Sequence, residues 1–295
     1  MTPKELFNIR TEFERYVHRF ADAGAKLHPL LQLKVEHSKR VAAEARGLSS
    51  DLGWSVPAQH AAEATGLLHD IGRFPQFAEF GTFSDSASVD HGERGATVAE
   101  QAGWLAGLPD EDRYAILDGI RYHNRLTIPR NIRDGSLAML RLVRDADKLD
   151  IFRVVLDAVE RDGFRDLPTM LPNITLDRSP SPQFVNEIVR RRSASVNIVR
   201  SLADFLLMQV SWVYDLNYAP TLQRFHDRGV LSRILKHLDG DARIHALGEE
   251  VDRFVLNRIS SDKNSGREEP ICKQRFEEGS TMIRPGTVLF GERPS

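Results

Sequence analysis

Apolar residues recur along this chain at spacings of three and four, and no stretch alternates apolar with polar residues over the length of a strand. That period predicts helices over roughly 3–21, 29–52, 57–70, 91–106, 110–123, 135–160, 183–215 and 241–259. Breakers fall between them: Gly53, Pro57 opening the third helix, Gly72 with Pro75, Pro109 and Pro129. The expected fold class is therefore all-α. Asp162 to Pro182, with Pro168, Pro172, Pro180 and Pro182, is the clearest irregular stretch. It divides the chain into an expected core, 1–165, and a C-terminal helical extension, 166–260, that packs on the core. The C-terminal helices either complete that core or form a homodimer interface. Residues 261–295 turn to Ser, Lys, Gly, Glu and Arg and read as a flexible tail, within which only Thr287 to Gly291 has a pairing pattern.

Composition narrows the function classes. With 40 basic and 42 acidic side chains in 295 residues, the chain lacks the basic excess of a protein that coats nucleic acid, so no stable nucleic-acid binding is expected. A small phosphorylated ligand, which needs only a few local cations, is compatible. The longest apolar run, Phe205 to Tyr214, is about half of what spans a bilayer and is expected to be a buried helix. The first twenty residues form an amphipathic pattern rather than a signal peptide, and the one cysteine, Cys272, has no internal partner. A cytoplasmic protein with no membrane association is the expectation.

The chemistry lies in ligand-type residues spread over about a hundred positions: His37, the adjacent His69 and Asp70, His91, His123, and the run Asp145-Ala146-Asp147-Lys148-Leu149-Asp150. Helical phase says which of them face inward. His37 shares a stripe with Leu30, Leu33, Val41 and Leu48, and His123 follows Ile116, Gly119 and Ile120 on one face. Asp147 lies among Leu140, Val143, Ile151 and Val154, whereas Asp145 and Asp150 have Arg141 and Arg153 as helical neighbours. A carboxylate in an aliphatic stripe is costly unless it is paired or binds a cation, so Asp147 is the aspartate that most needs a metal. Gly72 is placed to end the helix that carries His69 and Asp70, and Asp90 to cap the one that opens at His91. Imidazoles with carboxylates and no thiolate suit a divalent ion such as Mn, Fe, Co, Ni, Zn or Mg.

His37, then LLHDIG (Leu67 to Gly72), then DADKLD (Asp145 to Asp150) resembles the HD superfamily of metal-dependent phosphohydrolases, over about residues 30–160. LLHDIGRFPQF followed by SVDHGERGA looks like a bacterial branch of it. The resemblance implies an HD-domain helical bundle with additional C-terminal helices. It also implies that His37, His69, Asp70 and Asp147 hold one metal, and that His91 and His123 are the extra histidines of binuclear members, in which the HD aspartate bridges two ions. The alternative for these two is contact with substrate or with metal-bound water. The chain lacks the glycine-tyrosine-proline signature of cyclic-di-GMP phosphodiesterases and a synthetase half of the stringent-response type.

The expected reaction is hydrolysis of a phosphomonoester or phosphodiester in a small molecule, such as a nucleotide, with one or two divalent ions activating water. Asp70, Arg73 and Lys148 are the expected catalytic residues; Arg73 and Lys148 are the candidates for holding substrate phosphate, with Arg94, Arg125 and Arg121 weaker ones. The aromatic cluster Phe74, Phe77, Phe80 and Phe83 either lines a pocket or packs over a short loop. Two other readings stay open. The same ligand order resembles HD-fold di-iron oxygenases that cleave carbon–carbon or carbon–phosphorus bonds, and a non-catalytic metal- or nucleotide-binding sensor would use the same site.

Overall fold

A computed structural model describes residues 1–163, 174–193, 198–238 and 240–265. The described residues are helical, with no strand among them beyond an isolated bridge between Thr175 and Ser201. They fall into two compact units that divide inside a helix, at Asp150 and Ile151, rather than near 165. None of the helices is long and apolar enough to cross a membrane.

The first unit contains α1 (Pro3–His18), α2 (Pro29–Asp51), α3 (Val56–Leu68), α4 (Arg73–Phe80), α5 (His91–Gln101), α6 (Asp110–Tyr122) and the first part of α7 (Asp134–Asp162). Each start has a physical cause. Thr2 accepts the Glu5 amide while Glu5 reaches back to the Thr2 amide, a reciprocal cap on α1. Proline stands in the first turn of α1, α2 and α3, where no amide donor is lost. Asp90 caps α5 by accepting from Gly92 and Glu93.

α2 and α3 pack on each other most extensively, α5 pairs with α6, and α3 also meets α1 and α6. Gly66 makes the α2–α3 contact possible, since a Cβ there would stand 2.9 Å from the Ala42 Cα and the Val41 carbonyl. α3 is buried on every side from His60 to Leu68, and α7 from Leu142 to Phe152, so α7 runs through the interior rather than along the surface. That corrects the expectation for Asp145 and Asp150: both are buried despite their arginine neighbours. α4 was not expected. Pro75 suggests a break, yet it occupies the first turn of this short helix, where proline is tolerated. Phe74 packs against Phe13 and Phe20, Phe77 lies over Phe83, and Phe80 is exposed, so most of the aromatic cluster is packing.

The second unit holds the rest of α7, then α8 (Pro182–Arg191), α9 (Leu202–Ser211), α10 (Ala219–Asp227), α11 (Val230–Leu235) and α12 (Ala242–Ser265). The single helix expected over 183–215 is two: α8 closes at Arg192, which turns left-handed at φ 53°. α9 is buried throughout, as its apolar run implies, and Phe152, Trp212 and Phe225 form the aromatic part of this core. α10 and α11 were not anticipated, and α12 extends past 259 to Ser265. The expected pairing stretch Thr287–Gly291 lies outside the described residues.

Candidate metal centre

Four imidazoles and two carboxylates from five stretches of the chain meet inside the first unit. His37 comes from the middle of α2. His69 caps the C-terminus of α3, and Asp70 follows it in the turn toward α4. His91 opens α5, His123 caps α6, and Asp147 comes from α7. All six are buried.

Gly72 closes the distance between the Asp70 turn and α5. Its φ is −67°, so left-handed backbone is not why it is glycine, contrary to the helix-ending role its position suggests. Space is the reason: a Cβ would fall 2.1 Å from the His91 carbonyl oxygen and 2.7 Å from the Gly95 amide nitrogen. Only a residue without a side chain lets α5 pass there and deliver His91 to Asp70.

Every imidazole turns Nδ1 outward and Nε2 inward. His69 donates from Nδ1 to the Gly66 carbonyl (2.7 Å), and His123 to the Ile120 carbonyl (2.8 Å). His37 donates to Asp150 (2.7 Å), whose carboxylate also takes Arg40 (2.6 and 3.0 Å). His91 donates to Asp85 (2.7 Å). Carbonyl and carboxylate oxygens only accept, so the proton is on Nδ1 in each case and Nε2 is the side left for a ligand bond.

Those inward nitrogens crowd one another and Asp70. The His37 and His69 Nε2 atoms are 3.3 Å apart, and those of His91 and His123 3.1 Å. One Asp70 oxygen, Oδ2, lies 3.7 Å from His37 and 3.6 Å from His69; the other, Oδ1, lies 3.3 Å from His91 and 3.6 Å from His123. Two ligand groups therefore share Asp70: His37, His69 and Asp70, and Asp70, His91 and His123. Asp147 joins the first, its Oδ1 3.0 Å from His37 Nε2 and 3.8 Å from His69 Nε2. That oxygen is buried without an aligned hydrogen-bond donor. Paired imidazole nitrogens facing each other at contact distance, with carboxylate oxygens of Asp70 and Asp147 beside them, crowd together lone pairs that a cation between them would satisfy. The donor set fits a divalent metal.

Electrostatics agree. Burial alone would lower the His37 imidazole, but Asp147 and Asp150 at its two ring nitrogens raise it to about 9. Burial carries His69 down to about 3, so it stays neutral. Burial opposes ionisation of Asp70 and Asp147, yet Lys34 with the surrounding histidines holds Asp70 well below the usual carboxylate range, and His37 does the same for Asp147. His69, Asp70 and Asp147 are therefore ready to bind without losing a proton.

Not every expected residue faces the cluster. Arg73 is wholly buried and donates to the Phe83 carbonyl, to Gln76 and to Asp85, with its Nε 3.5 Å from Asp70 Oδ1. Its guanidinium lies between Asp85 and Asp70. Lys148 is also buried, so its charge is not presented to solvent. Arg94 is paired with Glu79, Arg125 with Asp90, and Arg121 with Glu93 and Glu100. Such partly exposed pairs contribute about 0–1 kcal/mol and leave these cations engaged on the surface.

Three contributors escaped the sequence reading. Lys34, one turn before His37, donates to Asp70 Oδ2 at 2.7 Å, and its phase on α2 was the available signal. Asp150, one turn after Asp147, orients His37. Asp85 sits in a short 3₁₀ turn, Asp85–Ala87, that no periodicity reveals.

Residues 35–153 match the family model described as HD domain, a span that contains all six clustered side chains. No curated protein and no solved structure matches the chain. HD domains as a class bind divalent metals and act as metal-dependent phosphohydrolases, and a buried His/Asp cluster able to hold a metal is what these elements assemble. Residues 35–153 of this chain thus carry an HD domain.

Proposed function

We propose that this protein is a two-ion phosphohydrolase acting on the phosphomonoester or phosphodiester of a small molecule. The observation that carries this reading is the division of Asp70: each of its oxygens faces a different histidine pair, as a carboxylate bridging two ions must. His37, His69, Asp70 and Asp147 would hold one ion, and Asp70, His91 and His123 the other. When bound, the ions supply Lewis acidity that makes water acidic near neutral pH and offsets charge on phosphoryl oxygens.

The chain's own residues do the rest. With ions held there, the two ligand carboxylates would leave an excess of positive charge, to which the buried Lys34 adds and which suits an anionic phosphoester. Asp150 and the Gly66 carbonyl fix the rings of His37 and His69, so their nitrogens keep a set direction as substrate arrives. Asp85 and the Ile120 carbonyl do the same for His91 and His123. The bridging geometry equally suits a pair of irons in oxygen chemistry, the second reading. Metal analysis of anaerobically purified protein, with a phosphate-release screen over a broad phosphoester panel, separates the two. Oxygen-independent phosphate release supports the hydrolase. Two irons with substrate-dependent oxygen uptake and no phosphate release would replace it with the oxygenase.

Metal affinity should depend on pH in one direction. Without metal, His37 keeps a proton up to about pH 9, and an ion taking its Nε2 must displace that proton. Apparent affinity therefore falls as pH falls below 9, by up to about tenfold per unit for one released proton. Calorimetric Mn²⁺ titrations at pH 8 and pH 6, in buffers of different ionisation enthalpy, should show about one proton released and an affinity up to ~100-fold weaker at pH 6. Equal affinity at both values would remove His37 from the ligand set.

A further inference from the structure

The two halves of the centre are built alike, and their difference is informative. His37 and His69 are 32 residues apart, as are His91 and His123. In each half the second histidine caps a helix and bonds the carbonyl three residues back, while the first is backed by an aspartate. The half around His37 has an additional carboxylate, Asp147, within reach of both its imidazoles. On the Nε2 side of His91 the ligand group among the described residues is Asp70 with the two histidines, while Asp85 and Asp90 gather on its Nδ1 side. What this half has instead is a denser support behind the ligand. Asp85 accepts from His91 Nδ1 (2.7 Å), Arg73 Nη1 (3.0 Å), Gln76 Nε2 (3.0 Å) and Asn124 Nδ2 (3.1 Å). Gln76 also donates to Ser88 Oγ and the Val89 carbonyl, so the loop carrying Asp85 is tied to α4 on one side and to the residue after His123 on the other.

We infer that Asp85 is the positioning residue of the second ion, and that the ions load in order: the one at His37, His69, Asp70 and Asp147 first, the one at His91 and His123 afterwards and only while Asp85 holds its ring. Three protein ligands bind more weakly than four, so the second site depends more on how well those three are oriented. Asp85 touches no ion in this assignment. It acts through His91, by fixing the ring and strengthening the inward nitrogen as a donor. Its charge is matched by the buried Arg73 guanidinium, which also approaches Asp70, so the support reaches the bridging carboxylate.

This inference rests on the two-ion reading above, and one experiment tells their failures apart. Full-length wild-type, Asp85→Asn and His91→Ala proteins are titrated with Mn²⁺, with bound metal counted and the spin-coupled signal of a Mn²⁺ pair followed by electron paramagnetic resonance. The wild type should bind two ions in two steps and show the coupled signal. Asp85→Asn, which keeps the side-chain shape, should keep the tight step within about threefold, weaken the second by about 10–100-fold, and lose the coupled signal at stoichiometric metal as His91→Ala does. Retention of the tight step shows that the variant is folded. Two unchanged steps in Asp85→Asn would overturn the positioning role, and so would loss of both steps, which would make Asp85 a support of the whole fold. Fewer than two ions on the wild type would overturn the two-ion reading itself.

Discussion

Asp70→Asn should leave the chain without either ion and without hydrolytic activity, while its far-ultraviolet circular dichroism stays helical. Asp70 is the one side chain common to both ligand groups, so its loss acts on both at once. Changing a residue that only orients a ligand costs about 10–100-fold in affinity, and removal of a shared ligand should exceed that for each ion. Asparagine keeps the volume and an oxygen, so the buried space is still filled. It removes the negative charge that offsets Lys34, whose ammonium is 2.7 Å away and almost wholly buried. A buried cation that loses its nearest countercharge is destabilised, and burial already lowers the Lys34 ammonium from its ordinary value. The variant should therefore be less stable than the metal-free wild type yet still folded. Bound-metal analysis and phosphate release decide the outcome. Two ions per chain on a folded Asp70→Asn protein would show that the bridging assignment is wrong.

Gly72→Ala should be strongly destabilising, since among the described glycines a Cβ here makes the shortest contact. The new Cβ would lie 2.1 Å from one backbone oxygen and 2.7 Å from a backbone nitrogen of α5, and neither is the end of a flexible side chain. Overpacking in a core costs about 1–3 kcal/mol where side chains can shift. Here a helix must move, so a loss of at least about 3 kcal/mol is expected, a large share of the 5–15 kcal/mol that stabilises an ordinary domain. Because the displaced segment begins at His91, the second ion should be lost even in molecules that remain folded. Gly135→Ala is the matched control, since a Cβ there meets nothing within 4 Å. Urea unfolding should place the Gly72→Ala midpoint far below wild type and the Gly135→Ala midpoint close to it. Coincident midpoints for the two variants would mean that Gly72 is not needed for the approach of α5.

Much of the first unit could be read from the chain because the relevant relations are local. Residues three and four apart share a helical face whatever the rest of the molecule does, so the periods around His37, His123 and Asp147 already pointed those side chains inward. Capping is equally local, and Asp90 caps α5 as its position suggests. Phase misled where a helix is buried on all sides. Asp150 has Arg153 one turn ahead, which suggested a surface pair, but in α7 its partners are Arg40 and His37 of α2, and Arg153 pairs with Asp157. Arg73 misled for a similar reason. A cation next to a ligand pair suggests an exposed group, whereas Arg73 is wholly buried and bonded to Asp85 and Gln76.

By itself the sequence determined the helical class, the ligand types and the inward face of each helix that carries a ligand, because covalent geometry and helical pitch set all of these within a few residues. Tertiary structure alone decided the rest: that Asp70 divides its oxygens between two histidine pairs, that Asp85 stands behind His91, and that Gly72 must be glycine. Those relations join elements brought together by packing, such as the 113 positions between His37 and Asp150, and no local period records which neighbours a folded core will supply.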